Sequence, residues 1–196
     1  NVQKIGIKNP GVKIGENYTD YTQGSFRITD NTYDLALAGD GFFAIEFTNK
    51  AGETDTKYTR AGQFTLNKDG YLVTEEGDYV LDTQNRRIRL NTLLDSKITD
   101  DGTIYQNDQA VARIQVTDFE DYLEKYGETY YQPIEGAKTT TADAQVKSGY
   151  LEMANVQIVS EMVNLISITR AYESNQKVVQ TIDGTLDVAA NQIGKL

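Results

Sequence analysis

Cysteine and histidine are both missing from this chain of 196 residues. Without cysteine there are no disulfides and no thiolate chemistry. Without either residue the usual zinc sites, serine–histidine triads and cysteine–histidine dyads are excluded. Long apolar runs are also missing: none reaches the roughly 18 residues of a membrane-spanning helix, and the N-terminus shows no signal-peptide pattern. No membrane insertion is therefore expected. Positive charge is scarce, with 19 Lys and Arg against 29 Asp and Glu and a net charge of −10. The one basic cluster is Arg86-Arg87-Ile88-Arg89. Nucleic acid and anionic surfaces are poor partners for such a chain. The cluster itself reads as a solvated strand face or a guarded edge.

Acid–base catalysis by paired carboxylates is the common enzyme mechanism that remains. Asp34, Asp40 and Glu46 stand near a Gly-rich bend, and Asp100-Asp101 in a turn. Asp beside Gly is ordinary turn chemistry, so these residues read as turn formers and no catalytic residue is assigned. Neither Thr99-Asp-Asp-Gly102 nor Glu75-Glu-Gly-Asp78 has the spacing of a twelve-residue calcium loop. Gly39-Asp40-Gly41 is not a phosphate loop, because no Lys-Ser/Thr follows it and no helix opens after it. No metal or cofactor is expected. The 13 Tyr residues are scattered through strand-like segments, where they fill and edge a β core.

What the sequence does contain is a seven-residue repeat near its end. Leu151, Ile158, Leu165, Tyr172, Val179, Leu186 and Ile193 recur every seventh position, which on a helix makes one nearly straight seam. Val156, Val159, Met162, Val163, Ile166, Ile168, Ile182, Ala189 and Ala190 widen it, while Thr169, Gln176 and Asp183 interrupt its second row. The pattern predicts a helix over 148–196 with Ser148 as N-cap, Glu152 in the first turn and a weak point at Gly184. A seam of this length calls for a second long helix, and none is written in the preceding residues. The expected interface comprises Leu151, Ile158, Met162, Leu165, Ile168, Tyr172, Val179, Ile182, Leu186 and Ile193. From Asp143 onward there are six acidic and four basic residues, so the helical part is near neutral. That leaves −8 on the part before it, which is suited to water.

Before the repeat the chain reads as short strands. Residues 1–20 are polar and irregular, with a strand at Val12 to Ile14. Leu35 and Leu37 share one strand face, and Phe43, Ile45 and Phe47 share the next, with Gly39-Asp40-Gly41 as the bend. Lys57 to Leu81 alternates strand, turn and strand too tightly for anything but antiparallel hairpins. Lys97 to Tyr105 repeats the Asp-Gly device, and Ala112, Ile114 and Val116 share a face. Phe119, Tyr122, Leu123 and Tyr126 suggest one or two helical turns, and Ala137 to Ala144 a polar linker. The expected class is α+β, mainly β with a long C-terminal α-helix. Its parts are an irregular segment (1–20), an antiparallel hairpin-rich β domain (21–117), a connecting segment (118–147) and a coiled-coil-forming assembly helix (148–196).

Three blocks carry a resemblance. The first runs from Thr22-Gln-Gly24 to Asp34-Leu-Ala-Leu-Ala-Gly-Asp-Gly-Phe-Phe43. The second is Tyr58-Thr-Arg-Ala-Gly-Gln-Phe64 with Asp69-Gly-Tyr-Leu-Val-Thr74. The third is Gly149-Tyr-Leu-Glu-Met-Ala-Asn-Val156, leading into Glu161-Met-Val-Asn-Leu-Ile166 and Arg170-Ala-Tyr-Glu-Ser-Asn175. In this order they resemble the bacterial flagellar basal-body rod and hook proteins, nearest in these blocks to the distal-rod subunit. The resemblance implies a non-enzymatic structural subunit. It would be exported through the flagellar secretion channel to the periplasm or cell-wall zone. There it would polymerise helically with copies of itself and with other rod and hook subunits, its terminal helices forming an inner coiled-coil tube. The export apparatus is a further implied partner. The family's N-terminal helix is not among these residues; the chain opens on Asn1 rather than Met, as a fragment would. Gly127-Glu-Thr-Tyr-Tyr131 also departs from the family pattern, which leaves a proximal-rod or hook paralogue as the alternative within the family. The competing reading is a secreted β domain that binds or cleaves a glycan, which would need a Tyr-lined hollow holding two close carboxylates.

Overall fold

A computed structural model describes residues 19–49, 51–120, 123–134 and 136–192. The expected strand at Val12 to Ile14 lies outside them. The chain folds as β1 (Phe26–Ile28), β2 (Leu35–Gly39), β3 (Phe42–Thr48), β4 (Thr54–Thr59), β5 (Phe64–Leu66), β6 (Leu72–Thr74) and β7 (Tyr79–Val80). There follow β8 (Ser96–Ile98), β9 (Thr103–Gln106), β10 (Gln109–Arg113), β11 (Val116–Phe119), β12 (Leu123–Tyr126), β13 (Tyr130–Pro133), β14 (Thr139–Thr141), β15 (Ala144–Ser148) and β16 (Tyr150–Glu152). The one long helix described is α1 (Ile158–Gln192). Every strand pairing described is antiparallel.

Turn chemistry dictates this pattern. Gly39 and Gly41 take φ values of 117° and 142° at the β2–β3 bend, a region that L side chains avoid. At the β5–β6 turn Asn67 Oδ1 accepts the N–H groups of Asp69 (3.0 Å) and Tyr71 (2.9 Å), a side chain standing in for a backbone turn. β9 and β10 are joined through Asn107 and Asp108, both left-handed, which suits the twist of a tight hairpin. The largest sheet runs β12-β13-β4-β3-β7-β6-β5, with β11 also pairing β3 and β14; β8, β9 and β10 form a second sheet.

The core lies where β2 and β15 meet both sheets. Leu35, Leu37, Phe43, Phe64, Leu72, Val80, Ile88, Ile98, Ile104, Ile114 and Val146 are buried together. β3 is covered on both faces. Phe43 packs edge-on against Phe64 at 5.2 Å between ring centres, while Phe42, facing the other way, meets Tyr131 (5.4 Å) and Tyr21 (5.9 Å). Tyrosine thus edges a second, aromatic cluster. The arginines of the basic cluster are exposed around a buried Ile88. Arg87 lies over the Tyr79 ring at 4.2 Å and pairs with Glu46, and Arg86 pairs with Asp82 at 2.8 Å.

Three expectations need correction. The long helix begins at Ile158, not Ser148, because residues 144–152 are claimed by the β unit. Ala144 to Ser148 pair with Gly39 to Leu35 along β2, and Tyr150 to Glu152 pair with Ile28 to Phe26 along β1. Ser148 Oγ donates to the Thr32 carbonyl (2.8 Å) instead of capping a helix. Of the residues expected in helical turns, Phe119 belongs to β11 and Leu123 and Tyr126 to β12; Tyr122 lies outside the described residues. The Thr-rich linker contains β14, paired with β11 at Thr139 to Thr141. In each case ladder hydrogen bonds to distant strands outweigh a local pattern of polar or periodic residues. Around Gly184 the helix is continuous.

Candidate functional site: an exposed apolar helix

α1 has 35 residues, about 50 Å at ~1.5 Å per residue. No proline interrupts it, and three of its threonines satisfy their hydroxyls on the preceding turn: Thr169 on Leu165 O, Thr181 on Lys177 O and Thr185 on Ile182 O. Its first-turn acid is Glu161, near the positive end of the helix dipole.

The side chains carry the functional signal. Every side chain described from Met153 to Ala189 is exposed. Of the residues expected at an interface, Ile158, Met162, Leu165, Ile168, Tyr172, Val179, Ile182 and Leu186 all lie on α1, between 52% and 73% exposed. Ile193 lies outside the described residues. Leu151 belongs elsewhere: it is 8% exposed, in β16, opposite Arg27, so the seam begins at Ile158. Apolar side chains at Val159, Val163, Ile166, Val178 and Val188 are exposed as well. Together they spread beyond one narrow stripe. A helix that is apolar around so much of its circumference is covered, when covered, by more than one neighbour. An exposed apolar surface of this extent marks an interaction site.

The carboxylates considered for catalysis are not brought into one site. Asp34 is buried and accepts from Asn31 Nδ2 (3.1 Å), Glu46 is bound to Arg87, and Asp100 to Lys147 (2.8 Å). Asp101 accepts from the Thr99 and Thr103 hydroxyls, which hold its carboxyl down to about 2. A cleft of about 280 Å³ does have Tyr21, Tyr131 and Phe42 in its wall together with Asp20, Glu128 and Glu152. Two of its acids are engaged in structure, however. Glu152 binds Arg60 and the Gly24 N–H, and Asp20 is held below the usual carboxylate range by the Thr22 backbone N–H. A glycosidase acid needs the opposite shift. Sequence reasoning missed Arg60, Glu152 and Asn155 as a group, although each lies in a block that carried the resemblance. Lys57 is another residue that periodicity could not mark: it is buried on Asp55 (2.8 Å) and Gln132 (2.9 Å).

An antiparallel β unit bearing an exposed apolar helix is the architecture of a helix-bearing structural subunit. Comparison with known proteins agrees. The family model described as "Flagellar hook protein FlgE/F/G D1 domain" matches residues 36–106. The one described as "Flagellar basal body rod FlgEFG protein C-terminal" matches residues 147–193. The flagellar basal-body rod protein FlgF of Caulobacter vibrioides is 35% identical over 90% of this chain and 71% of its own length. FlgF of Mesorhizobium japonicum is 32% identical, over 99% and 88%, and FlgG of Bacillus subtilis 33%, over 97% and 75%. The chain belongs to the flagellar basal-body rod protein family. FlgF and FlgG relatives match it almost equally, so the nearness to a distal-rod subunit read from the blocks does not separate the two.

Proposed function

We propose that this chain, a structural subunit of the flagellar basal-body rod, assembles through α1. The seam Ile158, Leu165, Tyr172, Val179 and Leu186 packs against terminal helices of neighbouring copies and of other rod and hook subunits. The observation that carries this reading is the exposure, at every side chain described, of an apolar helix of about 50 Å. Fully burying each large apolar side chain is worth roughly 1.5–3 kcal/mol, so a few turns per neighbour suffice for a shaft that transmits torque. The subunit acts at the flagellar basal body and reaches it through the flagellar secretion channel. No described helix is long and apolar enough to cross a membrane. The test is rod assembly by chains carrying Leu165→Asp or Val179→Asp. Loss of assembly with an intact β unit supports the reading, and normal assembly by both refutes it.

A further inference from the structure

The blocks that carried the family resemblance are far apart in the chain, yet they meet at the foot of the β unit. Arg60, just beyond β4, touches two of them directly. Its Nη1 donates to the carbonyls of Gly39 (3.1 Å) and Gly41 (2.9 Å), on either side of the β2–β3 bend. Its Nε and Nη2 donate to the two carboxylate oxygens of Glu152 at 3.1 and 3.4 Å, and its guanidinium carbon lies 5.8 Å from the Phe42 ring centre. Glu152 in turn accepts the backbone N–H of Gly24 at 3.0 Å. One residue on, Met153 N–H donates to Ser25 O (2.8 Å). Asn155 Nδ2 then reaches Thr22 O (3.0 Å), Thr22 Oγ1 (2.9 Å) and Asp20 O (3.3 Å). The segments are so close that a Cβ on Gly24 would lie 1.7 Å from Met153 O.

The side chains of Arg60 and Glu152 are only 19% and 13% exposed. An ion pair this far from water gains little net stability, because desolvation offsets the attraction. What a planar guanidinium adds is geometry: a fixed fork of donors that sets the directions of its partners. Those partners are the bend of the central hairpin and Glu152 of the segment leaving the β unit, and Glu152 carries the hold on to Gly24 of the segment entering it.

We infer that Arg60, Glu152 and Asn155 are positioning residues, a clasp that fixes where the arriving segment (20–25) and the departing segment (152–155) join the β unit, and so passes force from α1 into it. With Asn155 held, only Val156 and Gln157 separate the last anchored residue from the helix. At ~3.5 Å per residue the slack is at most about 10 Å; with the chain free after Leu151 it would be about 25 Å. The inference rests on α1 being the assembly element.

The test uses the whole chain with Arg60→Ala, Arg60→Lys and Asn155→Ala. Hydrogen exchange reads the Gly24 and Met153 amides against those of β3 and β4. Arg60→Ala is expected to speed exchange at the clasp about tenfold, with Arg60→Lys between it and wild type, while β3 and β4 stay within about twofold. In motile cells, rods form in normal number but swimming speed falls more steeply than wild type as medium viscosity rises. Asn155→Ala, at an exposed position, gives the same pattern where Arg60→Ala fails to fold. Unchanged exchange at both amides, or a motility loss independent of viscosity, overturns the clasp. If Leu165→Asp still assembles, the role of α1 fails, and the exchange result at the clasp is read separately.

Discussion

Replacing Leu165 with Asp separates an exposed side chain that waits for a partner from one that merely tolerates water. Leu165 is 67% exposed. In the unassembled subunit the change exchanges one solvated side chain for another, worth about 0.5 kcal/mol or less. In a helix–helix contact it forfeits about two-thirds of a leucine's transfer energy, roughly 1–2 kcal/mol. It also leaves a carboxylate without a partner, at a further cost of roughly 3–5 kcal/mol. The combined loss of roughly 4–7 kcal/mol per contact lowers its equilibrium constant by about three to five powers of ten. Sedimentation of assembled protein, with rods counted in isolated basal bodies, reads the second effect. Far-ultraviolet circular dichroism and a thermal melt of the β unit read the first. Assembly at the wild-type concentration, or a β unit that melts early, would refute the reasoning.

Other consequences are smaller in scope. Phe43→Ala empties a fully buried site beside Phe64 and should cost about 3–5 kcal/mol in denaturant unfolding of the β unit. Gly24→Ala drives a methyl into Met153 O; the clasp must open, seen as faster exchange at residues 150–155, while Gly184→Ala meets nothing within 4 Å and should raise helix stability by about 1 kcal/mol. Asp101 is held from its ordinary 3.8 down to about 2 by the Thr99 and Thr103 hydroxyls, so its folded-state pKa lies below the unfolded one. Its contribution is therefore complete above about pH 4 and is lost as pH falls through 2. Acid unfolding followed by tyrosine fluorescence should flatten across that window in Asp101→Asn.

Much of this was legible in the sequence, and for identifiable reasons. The heptad positions from Ile158 to Leu186 could be read because helical periodicity is local and needs no distant residue to show it. Gly39-Asp40-Gly41 and Asn67–Gly70 could be read because turns are local. Ser148 could not. Its serine, the apolar Leu151 in phase with the heptad and the acidic Glu152 imitate a helix start, while the decisive pairing is to β1 and β2, more than a hundred residues earlier. The clasp was hidden for the same reason. Arg60 and Glu152 are 92 residues apart, and nothing in the spacing of either announces the other.

Hydrogen exchange along α1, in the free subunit and again in assembled rods, is the measurement to make first. In the free subunit, amides from Ile158 to Ala189 should exchange orders of magnitude faster than those of Ala44 and Ile45 in β3, since an isolated helix in water is marginal. On assembly they should become as protected as β3. A helix already as protected as β3 in the monomer, or one that gains nothing in the rod, would mean that the seam is not the surface by which this subunit assembles.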